Sequence, residues 1–132
     1  MANVTAAVTV TSTDLLTDSL SSAVTKTITA TATTGLARRP ITSTAVGTSS
    51  GQVTLYTADD FAAIAYIFIK NTDTTATDYI YVFDDSTSGD PQILKLAGGD
   101  WAFMPTIADN TLKCFATTSG TVVEWMVFGT DQ

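Results

Sequence analysis

Two apolar runs joined by a polar segment dominate the hydrophobic pattern of the chain. From Ile64 to Ile69 every residue is apolar or aromatic, so both alternating faces of this run are apolar. A strand of this kind is buried on both sides and belongs inside a sheet, not at its edge. The second run places Tyr79, Tyr81 and Phe83 on one face and aliphatic residues on the other. Because the intervening NTDTTAT favours turns, the two runs predict an antiparallel hairpin.

Short alternating segments fill the rest of the chain. They lie at residues 3–10, 24–33, 52–56, 92–96, 101–104, 111–117 and 122–128. Pro40 interrupts a further segment, from Leu36 to Val46, and confines it to a sheet edge or a bulge, since proline cannot donate to a ladder. The pattern amounts to about nine or ten strands and shows no helical period. We therefore predict an all-β fold, an antiparallel β-sandwich of jelly-roll type.

Aromatic residues are unevenly distributed along the chain. Every Trp, Tyr and Phe lies after residue 55, and aromatic side chains supply much of the burial in a small core. This distribution predicts a β-sandwich core at residues 52–132 and a Thr-rich β segment or arm at residues 1–51. A single domain over residues 1–132 is the alternative. The same argument predicts that Trp101 and Trp125 are largely buried.

Threonine occupies every second position of the segment at residues 24–33. The five residues that share this face are Thr25, Thr27, Thr29, Thr31 and Thr33. One interpretation is a solvated sheet face with good β propensity, and the other is a surface that pairs with another subunit. Arg38 and Arg39 form the basic spot of the chain and are candidates to anchor an acidic partner. We predict an interface made of these seven residues.

Charge and composition narrow the classes of function. The net charge is −7, with 13 acidic residues against 6 basic ones, which argues against nucleic-acid binding and against adhesion to anionic lipid. No apolar run approaches the roughly 20 residues that span a bilayer, and we expect no secretory signal. The chain has one Cys and no His, so internal disulfides are impossible and His-based triads and metal sites are absent. We expect neither an enzyme nor a bound cofactor.

Acidic residues offer the main candidates for a metal site or for hydrolysis. Asp84, Asp85 and Asp90 lie in one loop, but Lys95 stands where an EF-hand-like loop requires a bidentate Glu. A solvated turn is the favoured interpretation, and we predict no metal requirement. A glycosidase would need two carboxylates across a cleft, and Glu124 is the sole Glu, on a predicted strand.

Two further groups of residues are candidates for chemistry. Cys114 alternates with apolar neighbours on a predicted strand, which indicates a buried, unreactive thiol. Tyr79, Tyr81 and Trp101 have side chains that can stack on sugars, although packing in the core is the favoured interpretation.

Four segments together resemble a known class of proteins. They are VTVTSTDLLTDSLSSAVTKTITAT, AYIFIKNTDTTATDYIYVF, GGDWAFMP and VEWMVFG. They resemble small all-β structural proteins of tailed-bacteriophage virions, especially those of marine and cyanobacterial phages. The resemblance covers most of the chain, and its distinctive pieces are IKN and GDWAF followed by Pro105.

This resemblance implies a structural role without catalytic residues. The implied function is a capsid decoration or cement protein, made in the host cytoplasm, that binds the major capsid protein on the exterior of the virion. A homo-oligomer is expected, and the threefold positions of shells favour a trimer. The alternative is a head or tail fibre subunit that binds host glycans, and a glycoside-active enzyme ranks below both.

Overall fold

The protein is an all-β molecule in a computed structural model that describes residues 2–13, 20–47, 50–62, 64–86 and 88–131. No helix occurs among these residues. The strands are β1 (Ala2–Ser12), β2 (Leu20–Ala30), β3 (Ala32–Thr33), β4 (Ala37–Pro40), β5 (Val53–Tyr56), β6 (Ile64–Asn71), β7 (Ile80–Asp84), β8 (Gln92–Leu96), β9 (Trp101–Ile107), β10 (Leu112–Ala116) and β11 (Val122–Gly129).

Two antiparallel sheets form a β-sandwich. The front sheet has the order β3-β11-β6-β9, with β4 also paired to β11, and the back sheet has the order β5-β10-β7-β8. β1 and β2 form a separate two-stranded sheet, here called the arm. The predicted all-β sandwich is confirmed, and the jelly-roll variant of it stays a prediction.

The core lies between the front and back sheets, where every strand turns its aliphatic face inward. Side chains of both sheets belong to one buried cluster. The front sheet contributes Ile67, Ile69, Val123, Trp125 and Val127, and the back sheet contributes Val53, Leu55, Ile80, Val82, Leu112 and Cys114. β6 is flanked by β11 and β9, so the prediction that this strand lies inside a sheet is confirmed.

Two buried polar side chains connect the sheets by hydrogen bonds. Trp125 Nε1 donates to the carbonyl oxygen of Leu55 at 3.0 Å. The Tyr56 hydroxyl donates to the Ile107 carbonyl at 2.9 Å and contacts the Thr106 hydroxyl at 2.8 Å. Buried polar groups need such partners because an unmade hydrogen bond costs roughly 1–3 kcal/mol. Each aromatic ring therefore fills the core while its polar end is satisfied.

The predicted hairpin between the two central apolar runs is wrong. β6 lies in the front sheet and β7 in the back sheet, so residues 72–79 cross between sheets. Asn71 is fully buried at the start of this crossing, and its Nδ2 donates to the carbonyls of Asp78 (2.7 Å) and Leu96 (3.2 Å). Gly98 leaves room for the crossing, because a Cβ there would collide with the backbone of Thr75. β6 and β7 face each other across the core, and this arrangement buries the aliphatic face of each strand as well as pairing within one sheet would.

The two tryptophans differ in environment. Trp125 is 5% exposed, which confirms its predicted burial, whereas Trp101 is 53% exposed and its predicted burial is wrong. Trp101 begins β9, the edge strand of the front sheet, and pairs with Lys70, whose side chain also points away from the core. Alternation therefore sends the Trp101 indole to the outer face of the front sheet.

Residues before position 52 do not behave as one unit. β3 and β4 pair with β11 along the edge of the front sheet, and Ile41 is a fully buried member of the core cluster. Pro40 ends β4, consistent with the edge position predicted for this segment. The arm therefore comprises β1 and β2, while residues 31–47 pack with the sandwich. The division at residue 52 stays a prediction.

Candidate interaction surfaces

The arm has two faces of different chemistry. β1 and β2 pair without a bulge from Ala2 opposite Ala30 to Ser12 opposite Leu20. Directly opposed residues of an antiparallel pair project to the same face. The apolar face thus carries Val4, Ala6, Val8, Val10, Val24, Lys26 and Ile28, and the hydroxyl face carries Asn3, Thr5, Ala7, Thr9, Thr11, Ser21, Ala23, Thr25, Thr27 and Thr29.

The base of the arm packs on the outer face of the front sheet. Ile28 and Ala30 are each 6% exposed and form a second buried cluster with Phe128. Around Phe128 lie the rings of Tyr66 and Phe103, each with its centroid 6.1 Å from the Phe128 centroid. This small second core holds the base of the arm in place through aromatic and aliphatic burial.

The distal part of the arm is poorly covered by the sandwich. Residues 21–27 are all exposed, on both faces of the strand. On the apolar face, Val10 is 49% and Val24 is 64% exposed. An isolated hairpin is marginal in water, so a partner that covers this region would gain apolar burial.

The structure brings together three of the five threonines of the predicted interface. Thr25, Thr27 and Thr29 share the hydroxyl face of β2 and are exposed. Facing them on β1 are Thr5, opposite Thr27, and Asn3, whose Oδ1 accepts a 3.4 Å hydrogen bond from Thr29. The contribution of β1 was missed, although the alternation at residues 3–10 already placed Thr5 and Thr9 on one face.

The other two threonines lie outside this face. The chain bends at Thr31, and the Thr31 hydroxyl accepts a 2.8 Å hydrogen bond from the backbone N–H of Asp131. Thr33 lies on β3, and its hydroxyl accepts a 3.0 Å bond from the N–H of Gly35. Both side chains therefore bind backbone at the junction of arm and sandwich, and the bend divides the predicted five-residue face.

The two arginines lie on a different sheet from the threonines of the arm. Arg38 and Arg39 are exposed on β4, opposite Glu124 and Val123 of β11 respectively. Arg38 also borders a small cavity of about 230 Å³ with the crossing loop at Asp73. Their role in an interface stays a prediction.

An apolar groove separates the arm from the front sheet. It has a volume of about 470 Å³. Residues 4–8 of β1 form one wall, and the other wall is the outer face of the front sheet together with Leu36. The sheet residues that line it are Phe68, Trp101, Phe103, Met126 and Phe128. Two of the lining side chains are substantially exposed, Leu36 at 65% and Trp101 at 53%.

The carboxylates of Asp84 and Asp85 are bound by other groups of the protein. The Asp84 carboxylate is largely buried and accepts hydrogen bonds from Asn110 Nδ2 at 2.6 Å and from the N–H of Ser86 at 2.8 Å. Asp85 forms an ion pair with Lys113 at 2.6 Å. Within the described ranges, no group of three or more His, Cys, Asp or Glu residues could hold a metal ion.

Two buried acidic groups have raised pKa values. Burial raises the pKa of the Cys114 thiol to about 12, so the thiolate is strongly disfavoured and the prediction of a buried cysteine is confirmed. Burial also raises the pKa of Tyr56, partly offset by its hydrogen bond to Thr106. Neither group is poised to act as a nucleophile or base near neutral pH.

Tyr79 and Tyr81 lie on the outer face of the back sheet. They are half-buried, and Lys95 Nζ stands 3.8 Å from the ring centroid of Tyr79 and 5.4 Å from that of Tyr81. Tyr81 stacks on Phe115 at a centroid distance of 5.1 Å. These tyrosines thus pack outside the main core, and they leave part of an aromatic surface accessible.

Two comparisons were made with known families and curated sequences, and neither gave a match. The sequence matches no protein-family model, and no curated protein is significantly similar to it. In the portion of the chain that the structure covers, no helix is long and apolar enough to cross a lipid bilayer.

Proposed function

We propose that the protein is a structural component of a bacteriophage virion, a capsid decoration or cement protein that binds neighbouring copies of the major capsid protein. Its place would be the exterior of the capsid. The observation that carries this proposal is the exposed hydroxyl face of the projecting arm, which Thr5, Thr25, Thr27 and Thr29 share. A homo-oligomer is part of the proposal, and threefold shell positions favour a trimer.

The chemistry of the hydroxyl face suits burial against a protein. Hydroxyl groups on a sheet can exchange hydrogen bonds to water for hydrogen bonds to the backbone or side chains of a partner. Their burial leaves no charged group without a partner. Lys26 is the charged residue of the two arm strands, and it points to the apolar face, with Nζ 5.1 Å from the Tyr66 ring centroid. The rest of the chain, which includes Asp14 and Asp18 between the two strands, therefore carries a net charge of −8. A shell can be contacted through the strands of the arm with little electrostatic cost.

The fibre alternative is favoured by one specific observation. Trp101 presents an indole that is 53% exposed beside an apolar groove, and an exposed indole next to a cleft can stack on a sugar ring. A glycan array, probed with the protein and with Trp101→Ala, tests this alternative. Binding that the substitution abolishes would favour a fibre subunit.

The decoration role is tested on shells of the parent phage assembled without this protein. The protein should co-sediment with these shells saturably and appear as density on the exterior of the capsid in electron cryomicroscopy. Thr25→Glu with Thr27→Glu should weaken binding at least roughly 30-fold, because two carboxylates would be buried without partners. A matched control is Thr74→Glu with Thr77→Glu, which adds the same charge to exposed positions of the crossing loop and should leave binding unchanged.

Two results would count against the proposal. A full-length protein that does not bind these shells removes the decoration role altogether. Equal binding by the arm variant and the loop variant removes the hydroxyl face as the contact surface.

A further inference from the structure

We propose that the free edge of β1 pairs with β1 of a second copy, so that the two arms join into one four-stranded sheet. The contact joins two copies of this chain and does not depend on shell binding. It uses the open edge and apolar face of the arm, so the hydroxyl face stays available to another partner.

The first argument is the location of the groove. Residues 4–8 of β1 all line it, from both faces of the strand, while none of the described β2 residues does. Five consecutive lining residues mean that the groove meets β1 along its edge, since a groove under one face would touch alternate residues only. The edge of β1 is therefore within reach of another extended segment.

The second argument is that the edge of β1 is unprotected. In the described part of the chain β1 pairs with β2 alone, so its other edge, from Asn3 to Thr11, offers backbone donors and acceptors. Natural sheets guard such edges with lysine, proline or bulges. β1 reads ANVTAAVTVTS, without a charge or a proline, and its register with β2 is continuous. An edge of this kind is a template for another strand.

The third argument identifies the occupant as a second copy. The segment that fits must alternate small apolar residues with neutral polar ones, and β1 itself has that pattern in Val4, Ala6 and Val8. Antiparallel pairing about a twofold axis near Ala6 keeps the apolar faces of both copies on the same side, so the two arms share one continuous apolar face. Such an isologous contact satisfies both copies at once.

Charge also favours pairing at this edge. Two copies that each carry −7 repel one another over most of their surfaces. β1 contains no ionisable side chain, so the two strands can approach without opposing charges. With the axis at Ala6 the two β1 strands would pair over residues 2–10, about 31 Å for nine residues in β conformation.

A lysine substitution on each arm strand tests the contact. Val8→Lys places a cation in the apolar groove and opposite Val4 of the second copy, where pairing would remove the charge from water without a partner. Val24→Lys is the matched control: Val24 is directly opposite Val8 on the same face, it is 64% exposed, and it lies on β2, away from the groove. Sedimentation equilibrium measures the self-association of both variants and of the unsubstituted chain.

We expect the unsubstituted chain to associate in solution, with a mass rising from 13.8 kDa towards twice that value. The twofold contact gives a dimer in solution, whereas the proposed trimer belongs to the threefold positions of the shell. Val8→Lys should raise the dissociation constant at least about tenfold, and Val24→Lys should leave it within about twofold. Far-UV circular dichroism verifies that both variants keep the sandwich. Thr5→Cys, Ala6→Cys and Ala7→Cys, each made with Cys114→Ala, should give an oxidised dimer at one or more positions, and Thr74→Cys should not.

Three outcomes overturn the inference. The first is a chain that stays monomeric at millimolar concentration, and the second is equal weakening by both lysine variants. The third is an oligomer, for example a trimer, that Val8→Lys leaves intact; this removes the β1 contact and leaves the proposed decoration role open. Failure of shell binding, by contrast, leaves the β1 contact untouched.

Discussion

The arm and the sandwich are built from the same kind of alternating strand, but they differ in what covers them. In the sandwich, each apolar face meets another sheet, and residues such as Ile67 and Val82 are fully buried. In the arm, burial is confined to the base at Ile28 and Ala30, and it falls away until Val24 is 64% exposed. Alternation produces a stable layer only where a second layer lies against it.

This difference in coverage assigns stability to the sandwich and association with partners to the arm. Among the residues whose side chains the structure describes, none from the arm belongs to the main core, so the sandwich holds its stabilising contacts within itself. The arm contributes a small second cluster and otherwise presents an apolar face, a hydroxyl face and an open edge. Substitutions in the sandwich should therefore act on folding, and those in the distal arm on association.

The two tryptophans give the largest expected contrast. Trp125→Ala should lower the free energy of unfolding by roughly 3–5 kcal/mol, because it empties a buried site and removes the hydrogen bond to Leu55. Trp101→Ala should cost less than about 1 kcal/mol, since its indole is 53% exposed. Urea unfolding followed by far-UV circular dichroism measures both. Similar losses for the two variants would contradict the distinction between core and outer face.

Removal of the arm should have an intermediate effect. A chain that starts at Thr31 loses the burial of Ile28 and Ala30 against Phe128, and we expect a loss of roughly 2–3 kcal/mol. It should still unfold cooperatively and should bind more hydrophobic dye through the uncovered rings of Tyr66 and Phe103. A chain that starts at Gln52 is the comparison: it also lacks β3, β4 and the fully buried Ile41, and it should be less stable. Equal stability of the two truncations would show that residues 31–51 add nothing to the sandwich.

The smallest expected effect is a pH dependence set by Cys114. Its thiol pKa is about 12 in the fold against 9.0 as the ordinary value, so the unfolded chain loses the proton first as pH rises. The contribution of Cys114 is complete below about pH 9 and is lost as pH rises toward 12, by roughly 1 kcal/mol near pH 10. Tyr56, whose pKa is also raised by burial, acts in the same direction at higher pH.

Cys114→Ala is the control for this prediction. It should flatten the fall in unfolding free energy between pH 8 and about 10 while retaining the contribution of Tyr56. An unchanged slope in the variant would show that the thiol does not titrate differently in the two states. Slow reaction of the native protein with a thiol reagent near pH 8 is expected on the same grounds.

Local pattern determined much of this molecule. Alternation located the strands, the two-sided apolar run at Ile64 to Ile69 correctly indicated an interior strand, and the neighbours of Cys114 in sequence were enough to place it in the core. These results rest on the two-residue period of a strand, which assigns each side chain to a face wherever the strand lies. The same period reveals the two chemically different faces of the arm.

Only the tertiary structure decided which strand lies beside which, and what each face meets. Every residue offers the same backbone hydrogen-bonding groups, so the sequence does not show which two strands pair. The apolar runs at β6 and β7 therefore suggest a hairpin, although the two strands face each other across the core. The distribution of aromatic residues places Trp101 in the core, because it does not tell the inner face of a strand from the outer one. The hydroxyl face needs two strands in register, and the groove needs the arm to lie against the front sheet. These features depend on contacts between residues distant in sequence, which no local pattern encodes.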